Sequence, residues 1–438
     1  MRVFSLAVAM FCAACGYNSE TYRTDGAAAG GSDTAGAPAA AAVHCAADNG
    51  GLTLAPGFCA WVAHDGVGRA RHIAVTPDGR VYVALREPSG GGAVVGLRDT
   101  DGDGRLDEEA RFGEEGGTGI AVRDGWLYFA PNAHVGRYRL GDGLAPASGP
   151  EMVVSGFPQQ RSHAAKTITF DNAGRLYVNV GGPSNACQEE DRQHGSPGQD
   201  PCPQLERQTG IWRFDLSRVP QTLADGERYA TGIRNAVALD WHRGADALFV
   251  VQHGRDMLNV IAPEDFDAAA NAELPAEEFL RVGRGDDFGH PYCYYDHHQG
   301  RRVLAPEYGG DGTEVGRCDR YVDPVAVYPA HWAPNDLLFY DGSQFPARFR
   351  GGSFVAWHGS WNRAPQEQRG YKVTFRAMQD GRPAADYEVI ADGFTGQDTI
   401  RAPNEAAYRP MGLALAPDGS LYVVDSVRGR IWRIVWRG

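Results

Sequence analysis

The stretch His72-Ile-Ala-Val-Thr-Pro-Asp-Gly-Arg-Val-Tyr-Val83 reads as two apolar strands joined at Pro77-Asp78-Gly79, because glycine accepts the positive φ that a tight hairpin turn needs. The unit recurs in five further copies. They are Gly119-Ile-Ala-Val-Arg-Asp-Gly-Trp-Leu-Tyr-Phe129, Thr167-Ile-Thr-Phe-Asp-Asn-Ala-Gly-Arg-Leu-Tyr-Val178 and Val237-Ala-Leu-Asp-Trp-His-Arg-Gly-Ala-Asp-Ala-Leu-Phe-Val250. Leu337-Leu-Phe-Tyr340 with Gly352-Ser-Phe-Val355, and Gly412-Leu-Ala-Leu-Ala-Pro-Asp-Gly-Ser-Leu-Tyr-Val423, complete the set. Six such hairpins predict an all-β fold, a six-bladed β-propeller with long inter-strand loops, in which radial repetition leaves few exposed sheet edges. An open pair of β-sandwiches is the competing arrangement. The ring needs a latch, and Phe58-Cys-Ala-Trp-Val-Ala63 can supply an outer strand beside Gly429-Arg-Ile-Trp-Arg-Ile-Val-Trp436. About 65 residues fall to each blade, against roughly 40 to 45 in a compact one. The excess is expected in loops, notably 183–210 and 255–335.

Composition agrees with a turn-rich, packed chain: Gly 57, Pro 26 and 43% hydrophobic residues in 438, too apolar for disorder. Lys plus Arg number 42 against 55 Asp plus Glu, a net charge of −13. That excludes a nucleic-acid binder, which needs a basic stripe to displace counterions. Only two of the basic residues are lysines, Lys166 and Lys372. A chain built so heavily on arginine keeps lysine mainly where a compact, titratable ammonium differs from a guanidinium.

Arg2 precedes a short apolar run, Val3 to Phe11, too short to span a bilayer and read as an export signal over residues 1–15. Its end, Ala13-Ala14-Cys15-Gly16, resembles the lipobox of bacterial lipoproteins. Cys15 is therefore the expected lipidation point, with the protein held by a lipid anchor on the periplasmic or outer face of a membrane. Residues 16–44 are almost devoid of large apolar side chains and read as a flexible Ala/Gly-rich tether, leaving 45–438 as the propeller domain. Six cysteines follow the tether, Cys45, Cys59, Cys187, Cys202, Cys293 and Cys318. The even count, the export signal and the absence of any Cys-x-x-Cys among these six favour disulfides over zinc; pairing between sequence neighbours is expected, among fifteen possible connectivities.

If the first strand of each hairpin is innermost, the residue before it and the residue ending the second strand share one rim. The former are Arg71, Thr118, His163, Arg234-Asn235, Asn335-Asp336 and Arg409. The latter are Arg86, Asn132, Gly181-Gly182, Gln252-His253-Gly254-Arg255, His358-Gly359-Ser360-Trp361-Asn362 and Asp425. An acidic chain thus gathers arginines, histidines and amides at one mouth of its channel. Arginine forks suit planar carboxylates or quinone oxygens, and convergence of this kind marks a site.

Arg161-Ser-His163-Ala-Ala-Lys-Thr-Ile-Thr-Phe170, Gly232-Ile-Arg234-Asn235, Gln252-His-Gly254-Arg-Asp-Met257, Gly285-Asp-Asp-Phe-Gly-His-Pro-Tyr-Cys293, Gly370-Tyr-Lys372-Val373 and Tyr408-Arg409-Pro-Met-Gly-Leu413 carry an ordered resemblance. Over residues 52–436 the chain resembles the pyrroloquinoline quinone-dependent sugar dehydrogenases, in the sorbosone or pyranose dehydrogenase branch related to soluble glucose dehydrogenase. The resemblance implies pyrroloquinoline quinone and Ca²⁺ as cofactors, a sugar substrate oxidised at C1 to a lactone or acid, and an external electron acceptor, quinone or cytochrome. No haem attachment motif Cys-x-x-Cys-His occurs in the sequence. His163 corresponds to the general base, Arg234 to the arginine that stabilises the forming oxyanion, and Asn235 to its neighbour. Lys372 and Arg409 correspond to cations holding the cofactor, with Thr118 and Gln252 completing that set. Gly254 and Arg255 fall where main-chain oxygens coordinate Ca²⁺. His358, Trp361 and Asn362 are expected to meet the sugar.

Two positions depart from that pattern. Val180 leads into Gly181-Gly182 where a carboxylate orients the histidine, and Gly116-Gly-Thr118-Gly119 replaces a segment in which glutamine approaches the quinone. Separately, Asp99-Thr-Asp101-Gly-Asp103-Gly104-Arg105-Leu-Asp107 places carboxylates at positions 1, 3, 5 and 9 of an EF-hand-like loop, with Arg105 at the main-chain position 7. A structural Ca²⁺ there competes with an acidic, solvated hairpin tip. Two other functions fit a propeller: a calcium-dependent lactonase, which requires carboxylates converging on a central metal, and a non-catalytic cell-surface binding propeller.

Overall fold

The computed structural model describes residues 45–438; Cys15, the export segment 1–15 and the expected tether 16–44 lie outside the described residues. Six sheets, each built on four antiparallel strands, form the blades of a β-propeller; two of them carry a fifth, two-residue edge strand, Thr53–Leu54 on blade 5 and Gln221–Thr222 on blade 2. Blade 1 comprises Ala70–Val75, Val81–Ser89, Gly92–Arg98 and Glu108–Phe112. Blade 2 comprises Gly117–Arg123, Trp126–Pro131, Val135–Arg139 and Glu151–Ser155. Blade 3 comprises Ile168–Phe170, Leu176–Val180, Gly210–Phe214 and Glu227–Thr231. Blade 4 comprises Ala238–His242, Ala247–Gln252, Glu277–Val282 and Ala326–Tyr328. Blade 5 comprises Pro334–Phe339, Ser353–Trp357, Lys372–Arg376 and Glu388–Asp392. Blade 6 comprises Pro410–Leu415, Leu421–Asp425 and Ile431–Trp436, with Phe58–His64 as its outer strand. The six repeated hairpins are the two inner strands of the six blades. The latch pairs as expected, Phe58 opposite Trp436 and His64 opposite Ile431.

Because both faces of each blade meet a neighbour, second strands such as Leu176–Val180 are buried at every residue, and the core divides into wedges between blades. Val83, Val95, Tyr422 and Val424 fill the wedge between blades 6 and 1. Phe249, Phe279, Leu337 and Trp357 fill the one between blades 4 and 5. All three disulfides join sequence neighbours: Cys45–Cys59, Cys187–Cys202 and Cys293–Cys318.

Residues 183–209 are a loop stapled by Cys187–Cys202. The segment 255–335 is less loop-like than expected: it holds the outer strands of blade 4 and a small hairpin, Cys293–Asp296 with Arg301–Leu304. Polar residues on those edge strands, Glu277, Glu278 and Arg281, mask the alternation that marks an outer strand. Within the channel, His72 of blade 1 reaches across to the Asn335 carbonyl of blade 5 (Nε2 to O, 2.6 Å). Ala165, Val237 and Met411 pack together as a small buried cluster.

Candidate functional site

At one mouth of the channel lies a cavity of about 400 Å³, lined among others by Arg71, Arg86, Thr118, Asn132, His163, Arg234, Asn235, Asn335, His358, Trp361 and Arg409. The shared rim inferred from strand alternation is therefore a wall of one cavity, because each inner hairpin begins and ends at the same height.

His163 stands at φ +51°, a left-handed conformation that costs on the order of 1 kcal/mol or more and is held by its surroundings. Its Nδ1 lies 2.6 Å from the Gly182 carbonyl. A carbonyl only accepts, so Nδ1 carries the proton and Nε2 keeps a free lone pair. This is how the ring is oriented without a carboxylate. A Cβ on Gly181 would fall 2.7 Å from the His163 Cβ, so glycine is what lets the main chain come close enough to take over. Burial first, then the Arg234 charge, bring the His163 pKa down to about 3, and the ring is neutral across the physiological range.

Arg234 is 3% exposed and braced on three sides. Nε donates to the Asn185 carbonyl (3.1 Å), Nη1 to the Gly254 carbonyl (2.8 Å), and Nη2 to Asn185 Oδ1 (3.0 Å) and Asp256 Oδ2 (2.7 Å). Its backbone N–H donates to Gln252 Oε1 at 3.0 Å. Four of the five guanidinium N–H groups are thus committed, and the remaining one, on Nη1, is available to a ligand. Asp256 also faces Arg192; with Asn185 it ties the stapled 183–209 loop to the cavity. Lactonase chemistry finds little here: of the lining carboxylates, Asp256 is paired with Arg234, and Glu277 accepts the N–H groups of Gly254 (2.8 Å) and Ala333 (3.0 Å).

Residues 52–437 match a known family described as TrAA12-like. The chain belongs to the TrAA12-like family. Among curated proteins, a pyrroloquinoline quinone-dependent pyranose dehydrogenase of Coprinopsis cinerea is 26% identical over 275 residues, 55% of this chain and 36% of that protein. An uncharacterized protein of Borreliella burgdorferi is 26% identical over 212 residues, 48% of this chain and 49% of that one. The chain thus spans less than half the length of these curated relatives. Among solved structures, the holo form of the pyranose dehydrogenase PQQ domain from Coprinopsis cinerea superposes with a TM-score of 0.70 at 20% identity, covering 88% of this chain and 97% of that one. The calcium structure of the Trichoderma reesei family AA12 enzyme gives 0.70 at 19% identity with the same coverage. At these identities the superpositions establish the shared propeller fold, and the family resemblance read from the motifs is borne out.

Several expected site residues of this TrAA12-like chain sit elsewhere than the motifs imply. Lys372 is not among the cavity's lining residues: its Nζ donates to Asp392 Oδ2 at 2.9 Å and lies 5.3 Å from the Trp332 ring. It begins the third strand of blade 5, one strand further from the channel than the residues that line it. Arg255 is buried with its guanidinium on Glu307 (2.6 Å). Gln252 lies behind Arg234 and donates to Glu278 at 3.0 Å. Asn362 is buried outside the lining set, accepting from the Met257 N–H at 3.2 Å. Asp336 lines the opposite mouth. Trp361, 51% exposed, does stand at the cavity. Lys166 is wholly buried beside the site, with Nζ on the Ala164 carbonyl (2.7 Å) and its pKa lowered to about 8 by burial.

Asp99, Asp101 and Asp103 do come together, within 4.8 Å of one another. Asp107 is not in that group: its carboxylate accepts from the Thr100 N–H at 2.8 Å. The Asp99 and Asp103 carboxylates accept backbone N–H groups of their own turn, that of Arg105 included.

Sequence reasoning missed Asp256, Glu277, His331 and Asn185. Asp256 follows Gly254-Arg255 directly, so an acid next to a proposed ligand run was a usable signal. Asn185 comes from the 183–209 loop and His331, which lines the cavity, from the short connection between Ala326–Tyr328 and Pro334–Phe339; in neither does periodicity place a side chain.

Proposed function

We propose that this chain oxidises a sugar at its anomeric carbon with pyrroloquinoline quinone as the acceptor, releasing a lactone or acid. The carrying observation is a neutral histidine with a free Nε2 lone pair, in the same cavity as a buried, braced arginine. The quinone, when bound, supplies the carbonyl system that takes up the hydride leaving the sugar C1.

His163 Nε2 accepts the proton of the C1 hydroxyl as that hydride departs, and the Gly182 carbonyl holds the ring and steadies the imidazolium that forms. Arg234 presents its free N–H to negative charge that develops on the ligand, in a position already paid for by Asn185, Gly254 and Asp256. Trp361 offers an aromatic face at the mouth, suited to the apolar face of a pyranose ring. The cavity fits an anionic quinone, since Arg71 and Arg86 face it without a carboxylate partner among the described residues. The donors fit Ca²⁺ less well: the Gly254 carbonyl already receives the Arg234 guanidinium, and two cations compete for one oxygen. Electron transfer to a separate quinone or cytochrome, and attachment to a membrane through Cys15, belong to the same proposal.

The test is quinone binding by the purified protein, followed by dye reduction with a panel of aldoses. Saturable binding with turnover of at least one sugar is expected, and absence of quinone binding by absorbance and calorimetry overturns the reading.

A further inference from the structure

Blade 1 brings Arg69, Arg71 and Arg86 around a side pocket of about 240 Å³, where Arg409 of blade 6 joins them. Arg71, Arg86, His358 and Arg409 also line the main cavity, so the two spaces are continuous. Arg69 is paired with Glu87 at 3.0 Å. The others have no carboxylate partner among the described residues. Arg71 gives Nε to Thr118 Oγ1 (3.1 Å), which leaves its terminal N–H groups unbonded. Arg409 gives Nε to the His358 carbonyl (2.8 Å) and Nη2 to that of Gly359. Among the described residues, the Arg86 side chain has no hydrogen-bond or ion-pair partner. The nearby acid, Asp425, is spent on main-chain N–H groups of Arg409, Val427, Arg428 and Gly429.

Like charges held together without counter-charge raise the energy of the free protein. Burial and the charges of Arg86, Arg69 and Arg409 bring the Arg71 pKa down to about 10. An anionic ligand reverses that cost, and planar guanidinium forks fit carboxylates best. The Gly116-Gly-Thr118 segment is built for this arrangement: a Cβ on Gly116 would fall 2.1 Å from the Arg86 carbonyl oxygen. Glycine there lets the strand close on blade 1 and set the Thr118 hydroxyl against Arg71. The residue that resemblance nominates for carboxylates, Lys372, is engaged with Asp392 at 2.9 Å.

We propose that Arg71 and Arg86, with Arg409, hold the carboxylates of the bound quinone in this chain, and that Lys372 takes no part. The assignment rests on the quinone reading above and names its anion-binding wall. An acidic sugar could offer the same carboxylate chemistry, so the experiment has separate arms.

Quinone binding is titrated by absorbance and calorimetry, without turnover, on the full chain and on Arg86→Gln, Arg71→Gln and Lys372→Met. Loss of a hydrogen bond to a charged group predicts a roughly 10- to 100-fold weaker Kd for each arginine variant, with less than a twofold change for Lys372→Met. Arg86 is exposed, so Arg86→Gln keeps the test alive if Arg71→Gln does not fold. A loss in Lys372→Met as large as in Arg86→Gln overturns the proposal. So does unchanged quinone binding in Arg86→Gln, with or without weakened binding of glucuronate; the latter pattern would move the carboxylate to the substrate. Benzene-1,3,5-tricarboxylate separates this proposal from its premise. If it binds through Arg86 while the quinone does not bind at all, the carboxylate wall stands and the quinone reading falls.

Discussion

At one mouth of the channel, the inner strands present Arg71, His163, Asn235 and Arg409 to a cavity, with Arg234 held ready by groups behind it. Toward the other mouth, the same strands carry acids turned onto the backbone. Asp240 of blade 4 accepts from the Phe339 N–H of blade 5 (3.0 Å), the Trp241 N–H (2.8 Å) and the Thr169 hydroxyl of blade 3 (3.2 Å). Asp336 of blade 5 accepts from the Leu337 N–H (2.9 Å) and the Leu413 N–H of blade 6 (2.7 Å). These carboxylates link neighbouring blades where the strands run closest. One end thus leaves its donors unsatisfied by protein, and the other uses up its acceptors. A ring of equivalent strands can therefore assign ligand binding to one end and closure to the other.

The comparison is broken most directly by His163→Ala. Removing a general base is expected to cost roughly 10²- to 10⁴-fold in kcat/KM, with the urea midpoint nearly unchanged; a stability loss as large as that of an Asp336 variant would mean the two ends do not divide the work. Arg234→Met crosses the divide. It should abolish turnover and also destabilise by about 1–3 kcal/mol in urea unfolding, because Asp256 keeps only the longer Arg192 contact (3.5 Å) and the Asn185 and Gly254 oxygens lose their donor. Asp336→Asn turns an N–H toward a main-chain N–H at the blade 5–blade 6 junction. A loss of about 1–3 kcal/mol is expected, with kcat/KM within twofold of the parent; a fall in kcat at unchanged stability would relocate the functional end.

Burial pushes the Asp240 pKa up to about 6, against the N–H groups that favour its charged form. Since the folded pKa lies above the unfolded one, this group's contribution is present below about pH 4 and lost as pH rises through about 6. Relative to Asp240→Asn, the parent should lose at most about 3 kcal/mol over that window and then run parallel to it. Urea titrations at successive pH values decide this. The smallest effect is at the cationic end: the His163 ring, followed by NMR in the free protein, should remain neutral down to about pH 4. A midpoint near 6.5 would show that burial and Arg234 do not control it.

The repeat His72–Val83 and its relatives were enough to establish blade number, inner hairpins and latch, because a strand buried on both faces must be written in apolar residues. The rim positions followed from alternation, since period 2 ties a residue's place in the strand to the end of the channel it faces. The alternation did not carry over to Lys372, whose third-strand position sets it behind the cavity. Nor could it find Asn185, Asp256 or His331, which reach the site from loops whose course depends on the Cys187–Cys202 staple and on packing between blades.

Sequence by itself determined which residue types converge on one mouth: His163, Arg234, and arginines in place of lysines. Only the tertiary structure decided their state. A histidine reads as a base candidate anywhere, but the Gly182 carbonyl sets its tautomer, and the burial around it sets its charge. Likewise an arginine is cationic wherever it occurs. Whether it is spent, as Arg255 is on Glu307, or still open to a ligand, as Arg86 is, depends on which carboxylates and carbonyls the fold brings within hydrogen-bonding distance, and that is a property of space rather than of order along the chain.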